Sequence, residues 1–349
     1  MEIKAKDLAK LLNISPSTVS LVLNNKPGIS KATREKVIKA VKELGYENMI
    51  VKEDNANKKI LFVVYRKNGI SSVSTPYFSQ VFSEVIEGVE AQVKIRGYQL
   101  MISYVDKESL KEESKKIKNE NISGVIILAT EMEQNQILRF TDNIEKPIVI
   151  LDNYVEKAEV DCITINNEQG VYEAIEHFAH CGHKRVGYIH INKSVNNFSE
   201  RYFGFLRAMM LFEFETYKED TIEITTGGGE EVYTELKEKL EEKLKLKKDL
   251  PTAFFADNDI VAIYAIRAFK ELGYKVPEDI SIIGFDNMPL SEILDPPLTT
   301  IQIPRHKLGI VTVNSIIDRI KCNSKGMVKI EVGTKLVIRK SVKNIKGEG

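Results

Sequence analysis

From Ile60 onward, short apolar runs alternate with amphipathic helical stretches, and this alternation limits the possible folds more than any other feature of the chain. Runs at Ile60–Tyr65, Gln99–Tyr104, Gly124–Leu128, Ile148–Leu151, Cys162–Ile165, Val186–Ile191, Ala253–Phe255 and Ile280–Phe285 read as strands. Helical patterns such as Tyr77–Arg96, Glu168–His180 and Ile260–Leu272 lie between them, and Gly97-Tyr98 and Gly273-Tyr274 each end a helix. Strand–helix alternation of this kind implies a parallel sheet covered on both faces. There are more strands than one such sheet needs, so two similar doubly wound lobes are expected. At roughly 100–200 residues per domain, 349 residues leave room for a further small one. With 43% hydrophobic and 29% charged residues, a mainly disordered or collagen-like chain is excluded.

The first forty-odd residues follow a different period. Ala5, Leu8, Ala9 and Leu12 fall on one helical face; Val19, Val22 and Leu23 resume after a break at Asn13–Ser15; Val37, Ala40, Val41 and Leu44 repeat the pattern. Ser15 can cap the second helix, with Pro16 at its first position, and Ser30 and Gly45 can bound the third. Two short helices joined by a tight turn, with small Ala9 at their approach, make a helix-turn-helix. Residues 1–46 carry nine basic side chains against four acidic ones, although Lys+Arg and Asp+Glu balance at 50 each overall. A basic head on a mildly acidic body is the asymmetry expected where one end meets nucleic acid. The bland alternative is a helical bundle that docks another protein.

Residues 47–59 are polar and read as a linker. Three cysteines without paired spacing argue against a disulfide framework, no apolar signal segment is read at the start, and no apolar run approaches the roughly 20 residues of a membrane span. The expectation is a cytoplasmic, soluble protein that does not engage a membrane.

The order of basic helix-turn-helix, linker and two-lobed α/β body resembles the LacI/GalR family of bacterial transcription repressors. Ile14-Ser-Pro-Ser-Thr-Val-Ser20 followed by Leu23-Asn24 looks like the family's recognition-helix signature, and Ser30-Lys-Ala-Thr-Arg34 with Leu44-Gly45-Tyr46 like its third helix. In the body, Pro147-Ile-Val-Ile-Leu-Asp152, Gly182-His183-Lys-Arg-Val-Gly-Tyr188, Arg201-Tyr-Phe-Gly-Phe205, Asn258-Asp259, Gly273-Tyr-Lys-Val-Pro277, Gly284-Phe-Asp286 and Pro297-Leu-Thr-Thr300 are similar to family motifs. The resemblance implies a lambda-repressor-like head over residues 1–46 and a hinge over 47–59. It further implies a periplasmic-binding-protein-like effector and dimerisation region over 60–340 and a tail over 341–349. Lobe 1 is expected at about 60–161 plus 300–321, and lobe 2 at about 162–299 plus 322–340.

For the head, the resemblance implies that Pro16, Ser17 and Leu21 read base edges in the major groove, Ser17 by hydrogen bonding and the other two through apolar contact. Ser15, Ser20, Asn24, Ser30, Thr33 and Arg34 would hold phosphates. The family usually has a long polar or basic residue where Leu21 sits, so direct readout is expected to be thinner than average. Relatives also carry an Ala- and Leu-bearing hinge helix whose leucine wedges into the minor groove. Residues 47–59 contain one alanine and no leucine, so less bending of the DNA, or a hinge that stays disordered, is expected.

For the body, ligands of open parallel sheets sit beyond the carboxyl ends of the strands. Asp152, the Asp257-Asn258-Asp259 group and Asp286 follow strands directly, and Arg201 follows one through a loop. The resemblance implies that Arg201, Asp286, Asn258 and Asp152 grip a small effector, often a sugar, with Tyr77, Phe78 or Phe198 stacked on its apolar face. Two simpler readings stay open: Asp257, Asn258 and Asp259 can cap the next helix, and Asp152 can be a turn residue. His177, His180, Cys181 and His183 have metal-ligand spacing but fall at a helix–strand turn, where packing is the better reading. Gly227-Gly228-Gly229 lacks the Lys-Ser/Thr of a phosphate loop, and the alternating charges of Glu230–Lys248 read as a solvated helix face. No nucleophile–base pair, dinucleotide fingerprint or metal motif is found, so no enzyme, cofactor or metal is expected. The expected function is a homodimeric repressor that binds a pseudo-palindromic operator in double-stranded DNA under control of a small molecule. Control by a protein partner, a solute-binding protein and an enzyme with an accessory DNA module are the alternatives.

Overall fold

The computed structural model describes residues 5–24, 28–44, 46, 58–67, 76–142, 144–225, 229–245, 249–322 and 326–346, the side chains at 5–6 and 76–81 excepted. The chain divides into a small unit, residues 1–58 with 94–99, and a large one, residues 59–93 with 100–349.

The small unit holds α1 (Ala5–Leu12), α2 (Pro16–Leu23) and α3 (Lys31–Glu43). Their apolar faces meet in one core of Leu8, Ala9, Val19, Val22, Leu23, Val37 and Val41. Asn13 turns the chain between α1 and α2 with φ 54°, a left-handed conformation that asparagine tolerates better than most residues. The expected caps are present: Ser15 Oγ accepts from the Thr18 N–H at 3.0 Å and Ser30 Oγ from the Thr33 N–H at 3.2 Å. Gly45 and the linker over 47–57 lie outside the described residues.

In the large unit the strands are β1 (Lys59–Tyr65), β2 (Gln99–Val105), β3 (Ile122–Leu128), β4 (Ile148–Leu151), β5 (Asp161–Ile165), β6 (Val186–Ile191), β7 (Thr221–Ile224), β8 (Ala253–Ala256), β9 (Ser281–Asp286), β10 (Thr299–Gln302), β11 (Lys329–Val332) and β12 (Lys335–Val337). The helices are α4 (Pro76–Ile95), α5 (Leu110–Asn119), α6 (Gln134–Thr141), α7 (Asn167–His180), α8 (Asn196–Leu211), α9 (Glu230–Lys245), α10 (Asp259–Glu271), α11 (Pro289–Ile293) and α12 (Arg305–Cys322). The strands form two six-stranded sheets, ordered β11-β5-β4-β3-β1-β2 and β12-β10-β9-β8-β6-β7. Within the second sheet β12 runs antiparallel to β10, whereas β6 through β10 pair in parallel.

This pairing corrects the expected lobe boundaries. Residues 162–165 do not open the second lobe; β5 pairs with β4 and β11 in the first. Residues 300–302 belong to the second sheet through β10, and only α12 returns to the first lobe. Residues 322–340 are split, with β11 in one sheet and β12 in the other. Apolar patterning locates a strand but not its neighbours, because backbone pairing between distant segments decides which sheet it joins. The chain therefore crosses between lobes three times, after β5, after β10 and after β11. The strands not anticipated, β7, β10, β11 and β12, are short, at three or four residues each.

In the first lobe, alternate residues of β1, β3 and β4 pack with Ile117, Ile137 and Phe140 of α5 and α6. On the other face α4 and α12 approach closely, because a Cβ at Gly88 would meet the His306 carbonyl oxygen and one at Gly309 the Val85 carbonyl oxygen. Larger side chains there would push the first turn of α12 away from α4. In the second lobe, Ile189, Ile222, Phe254 and Ile282 pack with Leu236 and Leu240 of α9 and Ala265 and Phe269 of α10. Gly97 and Gly273 take positive φ two residues beyond α4 and α10, as their places in the sequence suggest.

Candidate functional site

Parallel strands deliver their carboxyl ends to a common rim, and here the rims of both lobes face one cavity of about 50 Å³. Thr130, Glu131 and Asp152 line it from the ends of β3 and β4, and Phe82, Val85, Arg305 and Leu308 from α4 and α12. Asn197, Phe198 and Arg201 from α8 and Asp286 from the end of β9 complete the wall on the second lobe. The face of α8 that carries Asn197, Phe198, Arg201, Phe205 and Ala208 is buried, so helical spacing sends a guanidinium inward among apolar neighbours.

Arg201 is 3% exposed and fully engaged. Its Nε donates to Asn167 Oδ1 at 2.9 Å, one terminal nitrogen to the Asp257 carbonyl, and Nη2 to Asp286 Oδ1 at 3.4 Å. The guanidinium lies 3.7 Å from the Phe285 ring centroid, where a weakly hydrated planar cation stacks well. Asp152 accepts from Thr130 Oγ1 at 2.6 Å and, across the lobes, from Asn197 Nδ2 at 3.0 Å. Burial pushes its carboxyl up to about 6 despite these donors and the nearby Arg201 charge. Both acids turn the chain at positive φ, 61° at Asp152 and 114° at Asp286. Non-glycine residues adopt such angles at a cost, and the cost concentrates where a side chain must be aimed.

Arg305 opens α12 and is 5% exposed. One terminal nitrogen donates to the Asp286 carbonyl, a second bond between lobes, and Nη1 lies 3.6 Å from Oε1 of half-exposed Glu84. Its Nε has no hydrogen-bond partner.

In the head, Ser15, Pro16, Ser17, Ser20 and Asn24 are exposed along α2 and its ends, and Leu21 is 37% exposed although apolar. Their bonds are local: Ser15 Oγ lies 2.7 Å from Ser17 Oγ, and Asn24 Nδ2 donates to the Ser20 carbonyl at 2.8 Å. At the start of α3, Ser30 is exposed and Thr33 and Arg34 are half-buried. Among the described residues, none of these α2 groups makes a long-range side-chain hydrogen bond.

Comparison with known proteins agrees with both halves. Residues 4–48 match the family model described as bacterial regulatory proteins, lacI family, and residues 175–342 match a periplasmic binding protein-like domain. The HTH-type transcriptional repressor PurR of Mannheimia succiniciproducens is 33% identical over 345 residues, covering 97% of this chain and 98% of that protein. The chain belongs to the LacI family. The NTD biosynthesis operon regulator NtdR of Bacillus subtilis, 32% identical over 339 residues, covers 96% of the chain and 98% of its own length. Among solved structures, the regulator CelR in complex with cellobiose superposes with a TM-score of 0.69 at 23% identity, over 97% of this chain and 100% of that one. The lac repressor dimer bound to operator and the anti-inducer ONPF gives 0.68 at 22% identity, over 98% and 100%. The two-lobed architecture and helix-turn-helix head are thus those of a LacI-family transcriptional regulator, not of an enzyme.

Of the effector residues expected for a LacI-family member, Arg201, Asp286, Asp152 and Phe198 line the cavity. Asn258 does not. Its Oδ1 accepts from the Val261 N–H at 2.9 Å and so caps α10, the role the simpler reading gave it. Asp257 accepts from Tyr188, His190 and the Ile191 N–H, and Asp259 from Ser291, Thr300 and the Met288 N–H. Burial, reinforced by Asp286, raises the Asp259 carboxyl to about 7. The side chains of Tyr77 and Phe78 lie outside the described residues. Sequence reasoning missed Thr130, Asn197 and Arg305; Thr130 lies two residues past the end of β3, which could have signalled it. His183, from the group with metal-like spacing, is buried between Thr252 Oγ1 at 2.9 Å and the Lys343 carbonyl at 3.2 Å. Among the described residues no helix is long and apolar enough to cross a membrane.

Proposed function

We propose that the protein is a cytoplasmic homodimer that represses transcription by binding a pseudo-palindromic operator, and that a small hydroxylated metabolite, a sugar or a relative of one, binds between its lobes and sets the affinity for DNA. Ser17, Pro16 and Leu21 would meet base edges, while Ser15, Ser20, Asn24, Ser30, Thr33 and Arg34 would hold phosphates. The observation that carries the effector reading is the buried set of Asp152, Asn197, Arg201 and Asp286 around a cavity shared by both lobes. Carboxylates and a guanidinium side by side offer acceptors and donors to neighbouring hydroxyls. Two regulators whose names or complexes cite operator or sugar support the same reading: the lac repressor dimer bound to operator, and CelR with cellobiose. The cavity of about 50 Å³ has room for water but not for a sugar ring, so ligand entry requires the lobes to part.

A thermal-shift screen of metabolites, followed by operator binding with and without each hit, tests this. At least one hit should alter operator affinity in the intact protein and fail to do so in Arg201→Met. If regulation survives that substitution unchanged, a protein partner rather than a cleft ligand controls the repressor.

A further inference from the structure

Arg305 is held differently from Arg201 and Asp152. Arg201 has a partner for each donor group described above, and Asp152 is bonded on both oxygens. Arg305 is as deeply buried, yet among the described residues its guanidinium is answered by the Asp286 main-chain carbonyl and, at 3.6 Å, by a Glu84 carboxylate that is 50% exposed. The Nε–H is left without an acceptor. A buried cation whose counter-charge is long and half-exposed is only partly compensated, and an unmade hydrogen bond adds to the cost. Arg305 is also the first residue of an 18-residue helix whose Leu308 lines the same cavity. The positive end of that helix dipole therefore reinforces its charge.

We infer that Arg305 and the first turn of α12 form a receptor for an anionic group, so that the effector is an acid: a hydroxylated carboxylate or phosphate ester whose charge faces α12 and whose hydroxyls face Thr130 and Asp152. The inference rests on the cleft reading above and narrows it from metabolites in general to acidic ones. Glu84 acts as a placeholder that the incoming anion displaces. Its exposure and long separation from Arg305 suit a contact that gives way.

The test uses the full-length protein and matched sets of ligands: neutral hexoses and pentoses, the corresponding uronates and aldonates, and the corresponding sugar phosphates. Binding is followed by thermal shift and calorimetry. At least one acid should bind while its neutral counterpart binds about 10- to 100-fold more weakly, the range for one charge-assisted hydrogen-bonded contact. The carboxylate and phosphate arms then identify the group. Arg305→Gln should remove that preference, Arg305→Lys should restore part of it, and Glu84→Gln should tighten acid binding two- to threefold by emptying the corner. Glu84→Gln leaves the buried network untouched and serves even if Arg305→Gln folds poorly. Binding of neutral sugars alone, lost in Arg201→Met, would overturn the acid inference and leave the cleft reading intact. An acid that binds equally well to Arg305→Gln and Arg201→Met would overturn both. Silence of every acid at millimolar concentration also overturns the inference.

Discussion

The head and the cleft solve opposite problems with similar polar residues. On α2 the serines and Asn24 are exposed and bond only to neighbours within four positions, so nothing fixes them except the helix they sit on. In the cleft, Asn167, Asn197, Arg201 and Asp286 are buried and bonded to one another over 30 to 85 positions of sequence. The head presents a surface that a partner completes; the cleft presents a network that is already nearly closed. On the proposed function, the exposed groups of the head would be cheap to alter and act on affinity, whereas the buried ones would carry the fold and the function together.

The sharpest way to break this contrast is Arg201→Met. Removing one member of a buried ion pair takes a donor from Asp286 and from Asn167, and a loss of about 3–5 kcal/mol is expected in urea unfolding of the body. A loss below 1 kcal/mol would show that the network is less essential than its burial implies. Next, Leu8→Ala hollows the head core, where Leu8 is fully buried. About 2–5 kcal/mol should be lost, enough to abolish operator binding while effector binding in the body persists. If both activities fall together, the two units do not fold as separately as their cores suggest.

A subtler effect comes from Asp152. Its carboxyl titrates near 6 in the folded state against an ordinary 3.8, so the folded protein holds a proton there that the unfolded chain has released. Its contribution to stability must therefore fall as pH rises from about 4 through 6, with the full penalty present at neutrality. Asp152→Asn should flatten that part of the profile by roughly 1–3 kcal/mol, read as the difference between the two proteins in urea melts at each pH. Asp259, raised in the same direction, is common to both and cancels. In the head, Ser15→Ala removes one cap from α2 and should cost about 1 kcal/mol, visible as weaker operator binding with an unchanged effector affinity. Ile50→Ala should change operator affinity least of all; a large loss would reveal an apolar wedge in the linker.

Legibility followed the same divide. The three head helices, their caps and their core could be read almost residue by residue, because helical periodicity and capping are local. Eight strands of the body were legible from apolar runs, and all but β5 lie in the expected lobe; β5, β10 and β11 were misplaced because they choose neighbours by pairing across the chain. At the cleft, Arg201, Asp286, Asp152 and Phe198 were recoverable from their positions after strands and from motif resemblance. Asn258 was read two ways because a cap and a ligand contact share one signature, an Asx residue before a helix, and the structure shows the cap. Arg305 escaped because its significance lies in what surrounds it: α4 and α12 brought close through Gly88 and Gly309, and the Asp286 carbonyl from the other lobe.

The three passages of chain between the lobes have a mechanical consequence. Tied at the ends of β5, β10 and β11, the halves are not free to slide past one another, and the low-cost motion left is a swing about the line on which those ties sit. A bound molecule would then be measured as an angle. On the proposed function, a molecule wedged between Asp152 and Arg201 would fix how wide the jaws stand, and a bulkier or smaller guest would set a different opening for the same protein.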